Sequence, residues 1–278
     1  MRKVIISAAL TGGRKAEPGD IRPIQPDEIA RDVVACAKAG AAACHIHAHN
    51  KEGLGTQDIE VFREIDTLCR KAIKEAGVDV MLNYTTSFGS GEVRWLPVTE
   101  LHPEICSYDS GSINWSNDGV FLNSPAFLAD LGDVTIRTGV KAEIEIFNIN
   151  TIKWALRMYE RGHLAAPLHF QIVLGTYGGM DASVENLNFL VNKLPKDCTW
   201  SVSGIGKESV PMIMAGLALG ADGIRVGLED NMYMSRGVHA TNVLQVERAV
   251  KLLKLANCEP ATAAEAREIL SLPPYSYT

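Results

Sequence analysis

The feature that most constrains the fold of this chain is a strand–helix alternation, repeated about eight times along 278 residues. Short β-rich apolar runs alternate with longer segments of helical periodicity, which is typical of parallel βαβ units. Eight such units without a Gly-x-Gly-x-x-Gly fingerprint favour a closed (β/α)8 TIM barrel over a doubly wound sheet. The predicted strands are Val4–Leu10, Ala42–His47, Val78–Tyr84, Glu104–Tyr108, Val140–Phe147, Leu168–Leu174, Thr199–Ser203 and Gly223–Val226.

The segments between these strands predict the helices of the barrel. Ser124 and Pro125 have the residue types that open a helix, and this marks the start of the fourth one. No linker or shift in composition divides the chain, so residues 1–278 are expected to form one domain. The last residues, 272–278, are expected to form a tail that packs against a neighbouring molecule.

Composition narrows the range of functions. Hydrophobic residues make up 46% and charged residues 22% of the chain, as in a soluble globular protein. The net charge of −6 argues against a nucleic-acid partner, because binding to phosphates requires a basic surface. No apolar run approaches the length of a membrane span, and the N-terminal run is too short for a signal peptide. Six cysteines without a Cys-x-x-Cys pair indicate a reducing compartment, so we expect a cytoplasmic protein.

His45 and His47 form the strongest candidate for chemistry. Side chains on a strand alternate between its two faces, so these two histidines point the same way and can bind one metal ion. They also end the second predicted strand, and the carboxyl ends of barrel strands carry the active site. His49 has the same parity but lies about 7 Å further along, which indicates a loop residue near the substrate rather than a ligand.

Glu229 is the natural third ligand, because it follows the eighth strand and should face the two histidines. Two histidines and one carboxylate leave an open coordination position for catalysis. Spacing alone leaves the metal open, since ferrous oxygenases use the same ligand types. Arg225 is expected to pair with Asp230. Glu143 and Glu145 share one face of the fifth strand, and at least one of them should face the barrel mouth or an arginine.

Several segments together resemble one family, the β-keto acid cleavage enzymes. The segments run in order over nearly the whole chain, and the last two are the most specific. They are Ala9-Leu10-Thr11-Gly12, His45-Ile46-His47, Glu143-Ile144-Glu145-Ile146-Phe147, Leu174-Gly175 with Gly178-Gly179-Met180, Trp200-Ser201-Val202-Ser203-Gly204-Ile205-Gly206, and Arg225-Val226-Gly227-Leu228-Glu229-Asp230-Asn231.

The resemblance implies a TIM-barrel homotetramer with Zn²⁺ on His45, His47 and Glu229. It implies an acyltransferase that combines a β-keto acid with acetyl-CoA and releases acetoacetate and a new acyl-CoA. Asp230, oriented by Arg225, matches the general base of the family. Thr85 stands where the family has a serine that assists the CoA transfer.

The chain departs from the family pattern around the expected metal. It has His47-Ala48-His49-Asn50 where the family has His-x-His-x-Arg-Asp, Thr85-Thr86-Ser87-Phe88 where the family has Ser-Thr-Gly-Gly, and Ser107-Tyr108-Asp109 where the family has Ser-Leu-Thr. These departures predict a different substrate. We expect Asp109, His49 and Arg14 to contact the distal group of the substrate. Glu143 is also expected among the substrate-binding residues.

Two other functions fit parts of the pattern. Metal-dependent hydrolases with a barrel fold also use His-x-His, but normally on the first strand and with further histidines on later strand ends. His163 and His169 are poorly placed for that role. A barrel that binds a metal or ligand without turnover is the third interpretation.

Overall fold

The predicted alternation forms a closed barrel in a computed structural model of the chain, which describes residues 1–115, 119–275 and 277. Neighbouring barrel strands are parallel, and β8 pairs back with β1 so that Ile5 lies opposite Gly223. The TIM-barrel prediction is therefore confirmed. The barrel strands are β1 (Arg2–Ala9), β2 (Ala43–Ile46), β3 (Met81–Tyr84), β4 (Ile105–Asp109), β5 (Lys141–Ile146), β6 (His169–Leu174), β7 (Thr199–Gly204) and β8 (Gly223–Val226).

Helices connect the strands and cover the outside of the barrel. Their ends follow local chemistry: the Ser124 hydroxyl accepts a hydrogen bond from the backbone N–H of Phe127, and Pro125 is the first helical residue of α4. The helices are α1 (Pro26–Ala39), α2 (Ile59–Ala76), α3 (Leu96–Leu101), α4 (Pro125–Thr138), α5 (Ile149–Glu160), α6 (Val184–Val191), α7 (Ser209–Leu219), α8 (Asn242–Leu255) and α9 (Ala263–Ile269).

The inside and the outside of the barrel have opposite character. Outward-facing strand residues such as Ile6 and Ile172 pack against the helices in apolar clusters. The inside carries a hydrogen-bonded polar network, in which the Ser201 hydroxyl donates to Gln171 Oε1 at 2.5 Å. Buried polar groups are tolerated where they satisfy one another. The barrel interior can therefore hold ionisable side chains close to its mouth.

The amino-terminal end of the barrel is closed by a segment that the sequence did not predict. A short strand, β9 (Cys258–Pro260), adds in parallel to the start of β1. After it, α9 packs Ala266 and Leu270 in one apolar cluster with Ile5 and Met81 from the barrel floor. The open mouth of the barrel is consequently the opposite, carboxyl-terminal end.

The carboxyl-terminal tail also contacts its own barrel. The hydroxyl of Tyr277 donates a hydrogen bond to the backbone carbonyl of Val80, and Tyr275 contacts the Arg70 side chain. Tyr275 and Tyr277 thus pack against their own barrel, and the expectation that this tail packs against a neighbouring molecule stays a prediction. Ser276 and Thr278 lie outside the described residues.

The described part of the chain also bears on redox state and membranes. All six cysteines are unpaired, and five of them are buried, as expected of small apolar side chains. Among the described helices, none combines the length and the apolar character that crossing a bilayer requires.

Arg267 anchors α9 to the barrel floor, and its removal should destabilise the protein. Its side chain is 4% exposed and binds Glu104 at 2.5 Å and Asp79 at 2.7 Å. Arg267→Ala leaves the buried Glu104 carboxylate without this partner, so we expect the free energy of unfolding in urea to fall by about 3 kcal/mol. Arg31→Ala, which breaks the exposed pair with Asp27, is the control and should change it by less than about 0.5 kcal/mol. Equal effects of the two substitutions would contradict this interpretation.

Candidate active site

The two histidines of the second strand meet at the barrel mouth as the sequence predicts. His45 lies on β2, and His47 follows the strand with the same orientation. Their Nε2 atoms are 3.1 Å apart, and both side chains are buried. Burial lowers the pKa of His45 to about 3, so its imidazole is neutral and offers a lone pair.

Glu229 reaches the histidines from a tight turn after β8. Gly227 has a φ of +140°, and a Cβ at this position would overlap the backbone carbonyl of Ala9. Glycine is therefore required where the chain crosses β1. The Glu229 backbone N–H then donates to the Ala9 carbonyl at 3.2 Å. This turn places the Glu229 carboxylate 3.7 Å from His45 Nε2 and 3.5 Å from His47 Nε2.

This triad fits a divalent metal ion. Ligand atoms of His45, His47 and Glu229 lie within 4.8 Å of one another. Nitrogen donors on one tetrahedral zinc are about 3.3 Å apart, close to the separations found here. Glu229 Oε2 is buried and has no hydrogen-bond partner among the described residues. Two neutral imidazoles and a carboxylate are a donor set that Zn²⁺ accepts.

Arg225 joins the triad to the neighbouring acids. From its position on β8, its guanidinium donates to Asp230 Oδ2 at 2.9 Å, Glu145 Oε1 at 2.9 Å and Glu229 Oε1 at 2.6 Å. The predicted pairing of Arg225 with Asp230 is thus found. Of the two glutamates on β5, Glu145 is the one that binds the arginine.

Electrostatics separate the roles of these acids. Burial by itself raises the pKa of Glu229, but the Arg225 guanidinium and the two histidines lower it well below its usual value. Glu229 is therefore a carboxylate, the form that binds metal. Burial raises the pKa of Asp230 above its usual value although Arg225 opposes this change. Asp230 thus has the greater proton affinity of the two, as a base requires.

Two predicted substrate-binding acids lie inside the barrel at different depths. Asp109 ends β4 opposite Glu145 on β5, and burial raises the pKa of both carboxyls. Asp109 Oδ2 has no hydrogen-bond partner among the described residues. Glu143 lies two residues deeper, where its Oε1 accepts a hydrogen bond from Asn83 at 2.7 Å. Asp109 is thus closer to the mouth, and Glu143 belongs to the polar network beneath it.

The other predicted site residues line the rim of the mouth. His49 Nε2 lies 3.0 Å from the backbone carbonyl of Arg14, and His49 is outside the metal-capable triad. The Arg14 side chain is exposed, with Nη2 2.5 Å from Met232 Sδ. Thr85 is buried after β3, and its hydroxyl donates to the Ser87 hydroxyl at 2.8 Å. Phe88 from the same loop packs edge-on against His47, with ring centroids 5.8 Å apart.

Sequence reasoning missed Arg94, which shapes this rim. Its guanidinium is buried and donates to the Thr86 carbonyl at 2.5 Å and to Asn123 Oδ1 at 2.8 Å. It also lies 3.8 Å from the centroid of the Phe127 ring. These contacts join the loops after β3 and β4. Arg94 falls in a weak helical pattern. Its position as a charged residue among apolar neighbours is the only signal in the sequence that it is buried.

The fold and this site define the class of protein: a (β/α)8 barrel with a histidine–histidine–carboxylate site at its carboxyl-terminal mouth. A family model described as beta-keto acid cleavage enzyme matches residues 3–272. The chain therefore belongs to the beta-keto acid cleavage enzyme family. This confirms the resemblance seen in the sequence and the prediction of an enzyme of that kind.

Individual relatives agree with the family. The chain is 38% identical over 276 residues to a 3-keto-5-aminohexanoate cleavage enzyme of Fusobacterium nucleatum, covering 98% of this chain and 99% of the relative. It is 30% identical over 296 residues to a 3-dehydrocarnitine:acetyl-CoA trimethylamine transferase of Rhizobium meliloti, covering 98% and 97%. The solved ternary complex of ObcA with a C4-CoA adduct and oxalate has a TM-score of 0.79 at 21% identity, covering 90% of this chain and 67% of that chain, and it supports the fold.

The hydrolase interpretation loses its support at this point. His163 binds the exposed Asp133 on the outside of the barrel. His169 lies deep in the barrel, where its Nδ1 is 2.8 Å from the Thr199 hydroxyl. Neither histidine joins the metal-capable group found among the described residues. The non-catalytic interpretation is likewise replaced by membership of an enzyme family.

The triad predicts a metal dependence that a single substitution can test. His47→Ala removes one of three ligands, and we expect the purified protein to lose most of its bound metal, as measured by inductively coupled plasma mass spectrometry. His49→Ala is the matched control, because it removes a neighbouring buried histidine that is outside the triad. Metal retained in His47→Ala, or lost equally in both variants, would contradict the assignment.

Proposed function

We propose that the protein is a zinc-dependent acyltransferase that cleaves a β-keto acid with acetyl-CoA as co-substrate. In the balanced reaction, R–CO–CH₂–COO⁻ and acetyl-CoA give acetoacetate and R–CO–CoA. The observation that carries this proposal is the triad of His45, His47 and Glu229 beside the Arg225–Asp230 pair, in a member of this family.

Asp230 is proposed as the general base. It lies beside Glu229, is 5% exposed, and is held through both carboxylate oxygens by Arg225. Its first task is to remove a proton from the carbon between the ketone and the carboxylate. The resulting carbanion attacks the thioester carbonyl of acetyl-CoA and expels the CoA thiolate. The thiolate then attacks the original ketone, and the carbon–carbon bond breaks to give acetoacetate and the new acyl-CoA. The proton on Asp230 returns to acetoacetate.

His45, His47 and Glu229 would hold the metal ion next to this base. When bound, a divalent metal supplies Lewis-acid polarisation of the β-keto acid's oxygens, which makes the adjacent carbon more acidic. Arg225 is a positioning residue: its fork fixes Asp230 and Glu229 relative to each other and is itself held by Glu145.

Thr85 is proposed to assist the CoA half of the reaction. It follows β3 at the barrel mouth, and its hydroxyl is within hydrogen-bond distance of Ser87. Its one hydrogen is given to Ser87, and on binding of the co-substrate it would be given instead to the thioester oxygen or to the departing sulfur. The Thr85–Ser87 contact supports this role because it shows the hydroxyl acting as a donor.

The remaining predicted residues are proposed to bind the substrate beyond its ketone. Asp109 faces the interior with an unpartnered oxygen. Arg14 lies on the loop after β1, and His49 lies in a short strand after β2 that pairs with Gly55. A Cβ atom built on Gly13, next to Arg14, would lie 3.3 Å from His47 Nδ1. This loop therefore lies close to the candidate metal site. Glu143 lies deeper in the barrel and would contribute to substrate binding through the Asn83 side chain, which donates a hydrogen bond to it.

Three finer features complete the proposal: the metal and the assembly rest on the family resemblance, and the location rests on the cysteine pattern. Zinc is proposed over iron as the metal, the assembly is proposed to be a homotetramer, and the cytoplasm is proposed as its location. The donor set of two histidines and one glutamate is compatible with zinc, and the preference over iron rests on the resemblance alone. The hairpin of Ile113–Trp115 and Gly119–Phe121 supports assembly, because Trp115 and Val120 are 49% and 65% exposed.

Asp230→Asn tests the proposed base. The substitution preserves the shape of the side chain and removes its proton affinity, so turnover should fall by about 10²- to 10⁴-fold. Acetoacetate formation is measured with acetyl-CoA and a panel of β-keto acids. Metal content should match the wild type, which separates loss of the base from loss of the metal. Full activity in Asp230→Asn would show that the base is a different residue.

Because Arg14 is a cation on the rim, we expect the enzyme to prefer β-keto acids whose distal group is negatively charged. In the described part of the chain no carboxylate lies within ion-pair distance of this exposed guanidinium, so it is available to a ligand. Arg14→Ala should lower kcat/KM about tenfold for β-keto acids with a distal carboxylate and change it little for uncharged ones. Lys15→Ala, one residue along the same exposed loop, is the control. An equal change for both substrate types would refute the assignment.

A further inference from the structure

An open cavity of about 430 Å³ lies at the barrel rim, outside the catalytic group. One wall is the loop that follows β4, and the other is the first half of α5. The residues used below are Gly111, Ser112, Asn123, Lys153, Trp154 and Arg157. None of them belongs to the catalytic or metal-binding set described above.

The cavity adjoins the end of β4, where Asp109 faces the barrel interior. Gly111 is two residues beyond Asp109, and its N–H donates to the Asp109 carbonyl at 2.8 Å. The hydroxyl of Ser110 donates to the carbonyls of Glu145 and Thr151, and so ties the active-site strands to α5. A molecule that extends from the triad over the end of β4 would therefore come to this cavity.

The charge of the cavity is positive and uncompensated. Lys153 and Arg157 lie one turn apart on α5, and both are exposed. Across the described ranges, no carboxylate lies within ion-pair distance of either side chain. The Arg157 guanidinium lies 4.9 Å from the centroid of the Trp154 ring, a contact that restrains it beside the cavity. In a protein of net charge −6, such a local positive site is not a property of the surface as a whole.

We propose that this cavity binds the phosphate-bearing nucleotide end of the CoA co-substrate, an inference that rests on the proposed function. The thioester must reach the metal centre, while the nucleotide remains outside the barrel. Lys153 and Arg157 bind its phosphates, and the half-buried Trp154 ring provides an apolar wall for the adenine. Asn123 and Ser112 fix the opposite wall of the cavity. The backbone N–H of Asn123 donates to the Ser112 hydroxyl at 2.9 Å, and the side-chain amide of Asn123 donates to the Gly111 carbonyl at 3.2 Å.

The test compares two acyl donors on the metal-loaded, full-length protein. Acetyl-CoA carries the nucleotide, and S-acetyl-pantetheine lacks it. We expect Lys153→Ala and Arg157→Ala each to lower the ratio of kcat/KM for acetyl-CoA to that for S-acetyl-pantetheine by roughly three- to five-fold, and the double variant by roughly ten-fold or more. Arg157→Lys, which keeps the charge, should restore part of the ratio.

Direct binding gives a second readout. Adenosine 3′,5′-diphosphate, the nucleotide end of CoA, should bind the wild type in isothermal titration calorimetry and bind the double variant more weakly. Lys251→Ala, which removes an exposed cation on α8, is the matched control and should change neither readout.

The outcomes separate this inference from the proposed function. If the wild type forms acetoacetate from acetyl-CoA but the Lys153 and Arg157 variants behave like Lys251→Ala, the nucleotide site is wrong and the proposed function stands. If the wild type forms no acetoacetate with any donor, the proposed function fails, and this inference fails with it. A lower ratio together with weaker nucleotide binding supports the site.

Discussion

The structure depends most on one buried cation, the guanidinium of Arg225. Removing such a charge from water costs several kcal/mol unless well-placed partners compensate for it. Three carboxylates do so here, from Glu145, Glu229 and Asp230. The arginine in turn keeps these like charges close together at the mouth. One side chain thereby fixes both the Glu229 carboxylate of the candidate metal site and the Asp230 acid beside it.

The ends of the barrel strands were the most predictable part of the molecule. The pattern of apolar runs placed β7 and β8, and the observed bounds of these strands differ from the predicted ones by at most one residue. The parity of His45 and His47 follows from strand geometry alone. Glu229 could be brought to face them because a closed barrel makes the eighth strand a neighbour of the first, and the first a neighbour of the second.

Other contacts could not be predicted, because they join distant segments whose sequences carry no mark of the pairing. Arg225 and Glu145 are 80 residues apart, and the choice of Glu145 over Glu143 depends on depth within the barrel. Arg94 binds loops that flank it only after the chain has folded. The cover formed by α9 was missed for a related reason: a short helix after the eighth unit has no place in a repeating pattern.

The closure of the amino-terminal end by α9 determines how molecules can enter and leave the barrel. Since α9 and its apolar contacts seal the amino-terminal end, everything that enters the barrel must leave by the same opening. In the proposed reaction the β-keto acid lies at the triad and the CoA portion extends out through the mouth. On that proposal, acetoacetate is released only after the bulky acyl-CoA above it has gone. In a barrel that is closed at one end, the binding of the two reactants and the release of the two products would follow a compulsory order.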